Sequence, residues 1–526
     1  MTLTSNKPCQ FTHSTDPQTH NMATTMKTIL SPILLLLLLP LALYAESDST
    51  KPNIILVMPD DLAYGDYGCL GNPVLKTPSV DAFINESLLF TKFHVSPTCS
   101  PTRASLMSGR HEFKNGVTHT ILERERMSLD TFTLPQMLKT VGYSTGIFGK
   151  WHLGDEEAYR PESRGFDEVY IHGAGGIGQT FPGSCGDAPG NSNINPTLWH
   201  NGKFVKTEGY CTDLFFEQSF RWIDAQRQTK QPFFAYISLN AAHGPHVVPD
   251  EYCTNYAGKE GISDKLAKYL GMVENIDTNF GKLLAKLEEW DLEENTLLIY
   301  LGTDNGGGIS RQLFDSGLKG GKNSVYQGGT LSPCFVRWPG GNVPAGVTCD
   351  ALTAHVDLFP TLMAITGAET NSKLQNQLEG RNMLPLLMDP TADWDDRILV
   401  HHTGRWKSGT AEQGKYNKSA VQNSRFTLVH NKELYDLSTD PGETNNVIDD
   451  HPKVVAQLRS AYDQWWEETQ PLMVNEDAIG PAINPFQELY FEQFGGSPSP
   501  QDLQRMGRLL KSTESKNLPK KKRDAQ

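Results

Sequence analysis

Four short, near-continuous apolar runs constrain the fold of this chain more than any other feature. Asn53-Ile54-Ile55-Leu56-Val57-Met58 leads into Asp60-Asp61, and Tyr143–Phe148 into Gly149-Lys150-Trp151-His152. Pro232–Leu239 leads into Asn240-Ala241-Ala242-His243, and Thr296–Leu301 into Asp304-Asn305-Gly306-Gly307. A strand with no polar face has no side for water, so these runs predict strands of a parallel sheet covered by helices. Leu266, Leu270, Val273, Ile276, Phe280, Leu283, Leu284 and Leu287 recur at helical spacing, and Leu134–Val141 is a shorter helical pattern stopped by Gly142. Strands alternating with helices predict an α/β fold with a central, mostly parallel sheet between helices. Ligands in such sheets bind beyond the carboxyl ends of the strands. The four polar clusters are therefore candidates for one site.

The texture of the chain changes along its length. Residues 1–45 read as a leader and signal peptide, 51–390 as the α/β domain, 391–470 as a smaller α+β subdomain and 471–526 as a tail extension. Within the subdomain, Arg397–Val400, Ser424–His430 and Glu433–Leu437 predict short strands, and Val454–Glu467 predicts a closing helix. Residues 172–212, rich in Gly, Asn, Pro and Ser, predict a long surface excursion of the kind that is often functional. The tail carries one amphipathic piece, Leu503–Leu510.

Met26-Lys27 precedes the apolar stretch Ile29–Tyr44, which is too short for a spanning helix and ends in Ala42-Leu43-Tyr44-Ala45. That pattern predicts cleavage near Ala45 and an exported protein, periplasmic or extracellular, lysosomal or secreted in a eukaryote, with no stable membrane span. The formal net charge of −14 opposes general nucleic-acid binding, and the one basic run, Lys520–Arg523, reads as a solvated tail. With Cys9 in the leader and Cys99 set aside, Cys69, Cys185, Cys211, Cys253, Cys334 and Cys349 are an even set that suits an oxidising compartment, with the pairing left open. No cysteine or histidine spacing fits a thiolate zinc site.

The polar clusters carry a definite chemistry. Asp60, Asp61, Asp304 and Asn305 form an all-oxygen ligand set, which hard divalent cations prefer and zinc does not. Cys99-Ser100-Pro101-Thr102-Arg103 places a thiol at a predicted helix start, where the free amides of the first turn and Arg103 favour negative charge. Lys150 and His152, two residues apart, point to one side. His243 and Lys322 add a proton donor and a cation, and Gly320-Gly321 before Lys322 allows close backbone approach. A metal with one Arg, two Lys and two His suits a tetrahedral oxyanion, sulfate or phosphate.

From Pro52 to Ala456 the chain resembles the type I, formylglycine-dependent sulfatases of the alkaline-phosphatase superfamily, and is arylsulfatase-like. The resemblance runs through Met58-Pro59-Asp60-Asp61, Cys99-Ser100-Pro101-Thr102-Arg103, Gly149-Lys150-Trp151-His152-Leu153-Gly154, His243-Gly244-Pro245, Asp304-Asn305-Gly306, Gly320-Gly321-Lys322 and the hairpin from Glu433 to Glu443. It implies an alkaline-phosphatase-like sheet with an antiparallel sheet in the C-terminal subdomain. It implies that a maturation enzyme oxidises Cys99 to formylglycine (3-oxoalanine), whose hydrate is the nucleophile. It also implies one Ca2+ per chain on Asp60, Asp61, Asp304 and Asn305, faced by residue 99. Arg103 would steady the hydrate, Lys150 and Lys322 hold sulfate oxygens, and His152 and His243 handle protons. The implied reaction releases inorganic sulfate from a sulfate monoester, a sulfated small molecule or glycan. Two alternatives share this frame: a phosphoester or phosphonate hydrolase, and an inactive receptor for sulfated glycans.

Substrate contacts are the open part of the sequence. His172, Gln179, Trp199 and His200 in the excursion, and His401, His402, Arg405 and Trp406 in the subdomain, are candidates for sugar contact. A sulfated polymer is repelled by an acidic chain unless a local basic patch lines the mouth of the site. Asn85-Glu86-Ser87 and Asn417-Lys418-Ser419 are glycosylation sequons, meaningful in a eukaryotic host.

Overall fold

A computed structural model describes residues 51–181, 183–481 and 483–498. The predicted signal segment, Cys9, the Leu503–Leu510 piece and the basic run Lys520–Arg523 lie outside the described residues.

The strands of the large sheet are β1 (Asn53–Met58), β2 (Leu88–His94), β3 (Ser144–Lys150), β4 (Glu168–His172), β5 (Thr197–His200) and β6 (Lys203–Lys206), followed by β7 (Phe233–Ser238), β8 (Thr296–Leu301), β9 (Leu331–Arg337), β10 (Val347–Cys349) and β11 (Thr353–Ala354). Among the described residues they form an 11-stranded sheet in the order β10-β2-β9-β8-β1-β7-β3-β4-β5-β6, with β11 beside β2. The four strands foreseen from apolar runs are its centre. β8, β1, β7 and β3 are consecutive neighbours, all parallel, and every residue of β1, β7 and β8 is buried. Antiparallel pairs flank them, β8 with β9 and β9 with β2 on one side, and β4 with β5 and β5 with β6 on the other.

Helices cover both faces, because each face of a strand apolar throughout must be buried. One face packs against the helix Asp264–Glu289 through Leu266, Leu270, Val273, Ile276, Phe280, Leu283 and Leu287, as the periodicity predicts. The other packs against Cys99–Ser108, Leu134–Thr140 and Leu358–Thr366. Thr133 caps the second of these, accepting from the Gln136 amide. No helix among the described residues is long and apolar enough to cross a membrane.

A second, four-stranded sheet holds β12 (Leu399–His402), β13 (Ser419–Gln422), β14 (Phe426–Val429) and β15 (Glu433–Asp436), antiparallel throughout. The helix Pro452–Thr469 lays Val455, Leu458, Tyr462 and Trp466 against it. β13 has no counterpart in the sequence expectations, and β12 begins two residues later than the predicted Arg397 start.

Two other expectations need correction. The 172–212 segment is not a surface excursion: it folds into β5 and β6, and Ala174, Ile177, Cys185, Ala188 and Leu198 are buried. The buried carboxylate of Asp187 organises the turn before β5, accepting from the Gly178 amide at 2.8 Å and the Asn191 side chain at 2.9 Å. The six cysteines reserved for pairing are all free thiols, as is Cys99. Both sequon asparagines, Asn85 and Asn417, are exposed.

β3 also runs two residues further than its apolar run. It includes Gly149 and Lys150, paired with Ser238 of β7 and His172 of β4. Gly149 has φ +123, and a Cβ there would sit 1.9 Å from the Ser238 carbonyl oxygen. An alanine at 149 forces β3 off β7 just before Lys150. We predict that Gly149→Ala lowers stability by about 1–3 kcal/mol in urea unfolding. An unchanged midpoint would show that the strands can part there without cost.

Candidate active site

The site begins where β1 and β8 stop. Past Met58 the chain turns through Pro59 to Asp60 and Asp61, and the Asp60 amide donates to the Ala241 carbonyl at 2.8 Å, so the loops after β1 and β7 are bonded together. Past Leu301, Thr303 accepts from the Leu62 amide at 3.0 Å and donates to the Asn305 carbonyl at 2.7 Å. These bonds bring Asp60, Asp61, Asp304 and Asn305 together. Ligand atoms of Asp60, Asp61, Asp304 and Cys99 all lie within 4.8 Å of one another.

Cys99 opens the wholly buried helix Cys99–Ser108. Its Sγ lies 3.6 Å from Asp60 Oδ1, 3.8 Å from Asp61 Oδ1 and 3.5 Å from Asn305 Nδ2. Burial, and after it Asp60, pushes the Cys99 thiol well above its ordinary range. As a thiol it is a poor nucleophile here, because the thiolate is the reactive form. One helical turn later, Arg103 spends its whole fork on the strand ends. Nη2 and Nε donate to Asp304 Oδ2 at 2.8 and 3.1 Å, Nη2 also to the Leu239 carbonyl, and Nη1 to Ser238 and the Lys150 carbonyl.

The cations meet the carboxylates in pairs. Lys150 Nζ donates to Asp60 Oδ2 at 2.5 Å, and Lys322 Nζ to Asp61 Oδ2 at 2.6 Å. Burial raises Asp60 well above the usual carboxylate range, and Asp304 raises it further. Burial acts the same way on Asp61, but Lys322, then His243 and Lys150, outweigh it and hold Asp61 well below that range. Lys322 is raised in turn, since Asp61 overcomes the opposing effect of its burial.

The two histidines are oriented differently. His152 Nε2 faces the Thr120 carbonyl at 3.1 Å and Glu125 Oε2 at 2.8 Å. A carbonyl can only accept, so Nε2 carries the hydrogen, and the buried Nδ1, which has no partner, keeps its lone pair. His243 Nδ1 donates to the Gly244 carbonyl at 2.7 Å, leaving Nε2 facing Asp61 at 3.6 Å. Burial lowers both rings, His152 well below its ordinary value and His243 to about 4. Glu125, pushed up to about 8 chiefly by burial, accepts from His152 Nε2. No sequence pattern marked Glu125, the last residue of the short 3-10 turn Leu122–Glu125.

The metal expectation can be tested on these atoms. Asn305 Oδ1 is buried without a hydrogen-bond partner, beside three converging carboxylates. An orphaned amide oxygen within an all-oxygen set fits a hard divalent cation.

Above these groups opens a cavity of about 230 Å³, lined by Cys99, His152, Gln179, His243, Lys322 and Arg405. Of the eight candidates for sugar contact, Gln179 and Arg405 alone line it. His172 is buried against Phe215, Trp199 stacks on Phe486, and His200 pairs with Glu168. His401 packs on His94, and His402 and Trp406 belong to the aromatic core under the small sheet.

Comparison with known proteins matches this arrangement. The Sulfatase family model covers residues 52–368, and the model of the N-sulphoglucosamine sulphohydrolase C-terminal region covers residues 320–468. The chain is 30% identical to N-acetylgalactosamine-6-sulfatase of Rattus norvegicus over 402 residues, 71% of this chain and 72% of that one. It is 31% identical to arylsulfatase A of Homo sapiens, over 76% of this chain and 83% of that one. A crystal structure of Ps i-CgsB with k-i-k-neocarrahexaose superposes with a TM-score of 0.70 at 26% identity, over 88% of this chain and 100% of that one.

Arg103 joins two of the buried carboxylates, Asp60 at 3.6 Å and Asp304 at 2.8 Å, with its own side chain 1% exposed. Removing one partner of a buried pair strands the other charge. Arg103→Met is predicted to cost about 3–5 kcal/mol in urea unfolding, and a loss below about 1 kcal/mol, the worth of a surface pair, would contradict it.

Proposed function

The chain belongs to the sulfatase family and hydrolyses sulfuric esters, and on that premise we propose that it removes sulfate from a sulfated carbohydrate at the cavity above Cys99. Residue 99 acts as formylglycine, made from the cysteine by a maturation enzyme. The observation that carries the reading is the convergence of Cys99 with Asp60, Asp61, Asp304 and the orphaned Asn305 oxygen.

Asp60, Asp61, Asp304 and Asn305 would hold one calcium ion. The bound cation and the converted residue together supply an acidified geminal diol as nucleophile. The remaining work falls to the chain's own side chains. With all three carboxylates ionised, as ligating a cation requires, Arg103, Lys150 and Lys322 balance them charge for charge, and a bound divalent cation would leave the site with a net charge of about +2. That surplus attracts an anionic ester. Lys150 and Lys322 flank the carboxylates and can turn their ammonium groups to sulfate oxygens. His243, at the cavity wall and held neutral by burial in the free protein, takes up a proton beside the anionic ester and gives it to the departing alcohol oxygen. His152, with its bare Nδ1, takes one from the hydroxyl of residue 99.

The carbohydrate part of the reading is supported by the relatives, one named for N-acetylgalactosamine 6-sulfate chemistry and one crystallised with a carrageenan hexasaccharide. Arg405 brings the 391–470 subdomain to the cavity lining, so we assign that unit a share in substrate binding. Export belongs to the same reading and is supported by the apolar segment after Met26-Lys27.

Two measurements test it. In protein co-expressed with a maturation enzyme, the mass of the peptide holding residue 99 is expected to show sulfur and two hydrogens exchanged for one oxygen. Cys99→Ser is expected to lose at least about 10³-fold in kcat, the scale of losing an activated nucleophile. Unmodified cysteine with full turnover would falsify the proposal. Calcium at about 100 times its Kd is expected to stabilise the protein by about 2.7 kcal/mol. Asp304→Ala should remove that gain; stabilisation that persists in the variant would place the ion elsewhere.

A further inference from the structure

A second concavity adjoins the active-site cavity. It is a groove of about 540 Å³ lined by Gln179, Gly244, Pro245, His246, Lys265 and Lys268. Gln179 lines both spaces, and its side-chain amide donates to the Gly244 carbonyl at 2.8 Å. Gly244 follows His243 of the active site directly. The partition between the two is thus one glutamine side chain and one turn of backbone.

The groove is cationic, and no carboxylate lines it. Lys265 and Lys268 lie three apart in the first turn and a half of the helix Asp264–Glu289, so they share one face, and both are exposed. Among the described residues neither is held in an ion pair. Their position is electrostatically unfavourable for the helix, whose amino end carries partial positive charge and favours anions by about 0.3–1 kcal/mol per group. Asp264 offsets part of that cost but does not line the groove. Where a local preference is broken without a structural gain, function is the usual reason. His246 closes the wall, its ring edge-on to Tyr269 at 5.6 Å.

We infer that this groove is a second anion subsite. It receives an acidic group, a sulfate or a uronic carboxylate, on the sugar next to the one that loses its sulfate. The substrate is then a polyanionic oligosaccharide rather than a singly sulfated sugar. The inference rests on the sulfatase reading of the adjoining cavity. It also resolves an electrostatic conflict: a chain of net charge −14 repels polyanions in general, so productive binding needs a local positive track. Lys322 and Arg405 provide one at the cavity, and Lys265 and Lys268 extend it past Gln179.

Competition against a small ester tests the subsite without requiring turnover of the glycan. The formylglycine-bearing wild type and its Lys265→Ala/Lys268→Ala variant hydrolyse 4-nitrophenyl sulfate in the presence of either of two tetrasaccharides. One is from chondroitin 6-sulfate, which carries sulfate and carboxylate, and one from iota-carrageenan, which carries sulfate alone. The double variant is expected to weaken inhibition by about tenfold and to flatten its salt dependence, while KM and kcat for the aryl ester stay within about twofold. Weakening with both sugars identifies sulfate as the bound group, and weakening with the chondroitin sugar alone identifies carboxylate. Unchanged inhibition by both overturns the subsite while the ester hydrolysis stands. An equal loss on the aryl ester also overturns it, since the lysines then serve the first site. Wild-type protein that is converted at residue 99 yet inert toward the aryl ester removes the underlying reading instead.

Discussion

The site depends on one guanidinium. Arg103 reaches the ends of all four central strands at once: Asp60 after β1, Asp304 after β8, Ser238 and the Leu239 carbonyl at the end of β7, and the Lys150 carbonyl at the end of β3. A lysine could not replace it, because a point charge with three donors cannot serve so many acceptors. Arg103 also lies four residues after Cys99 on the same helix, so the group that gathers the carboxylates sets the reactive side chain one turn away. Placement of the nucleophile and assembly of the ligand cluster are one event.

That clamp explains how so much charge is tolerated in a buried place. Isolated carboxylates taken out of water cost several kcal/mol each. Here Arg103, Lys150 and Lys322 stand against Asp60, Asp61 and Asp304 within hydrogen-bonding distance. With its carboxylates ionised to take a cation, the site alone is therefore near neutrality. It becomes positive when a cation enters the oxygen set, and that couples ion binding to attraction of an anionic ester.

The centre of this architecture was legible in the sequence because buried parallel strands leave unbroken apolar runs, and because the polar residues after them fall where the strands end. The limits of legibility have equally physical causes. β2 carries the exposed Lys92 and β9 carries Pro333, so neither reads as a central strand. The 172–212 segment looked like a surface loop because its order comes from buried polar groups such as Asp187 and Asn193, which composition cannot tell from solvated ones. His172, His401, His402, Trp199 and Trp406 were singled out by residue type, yet packing uses them as core. The even cysteine count misled for a similar reason: Cys334 packs into the apolar core, while Cys185 accepts from the Gly154 amide and Cys211 donates to Asn193.

The histidines carry the argument one step further than residue identity could. Each has one ring nitrogen fixed by a backbone carbonyl, but opposite ones: Nε2 of His152 by Thr120, and Nδ1 of His243 by Gly244. Their free nitrogens therefore differ, and so does their access to water. The side chain of His243 is 15% exposed and that of His152 only 2%. On the proposed reading this separates their labour. His243, the more exposed ring, can reload its proton from solvent and deliver it to a departing alcohol, whereas the nearly buried His152, whose Nδ1 is bare, is the ring left to accept one. Sulfate-ester hydrolysis releases one proton in net, so the proton His152 takes leaves with sulfate or through the cavity that the ring lines.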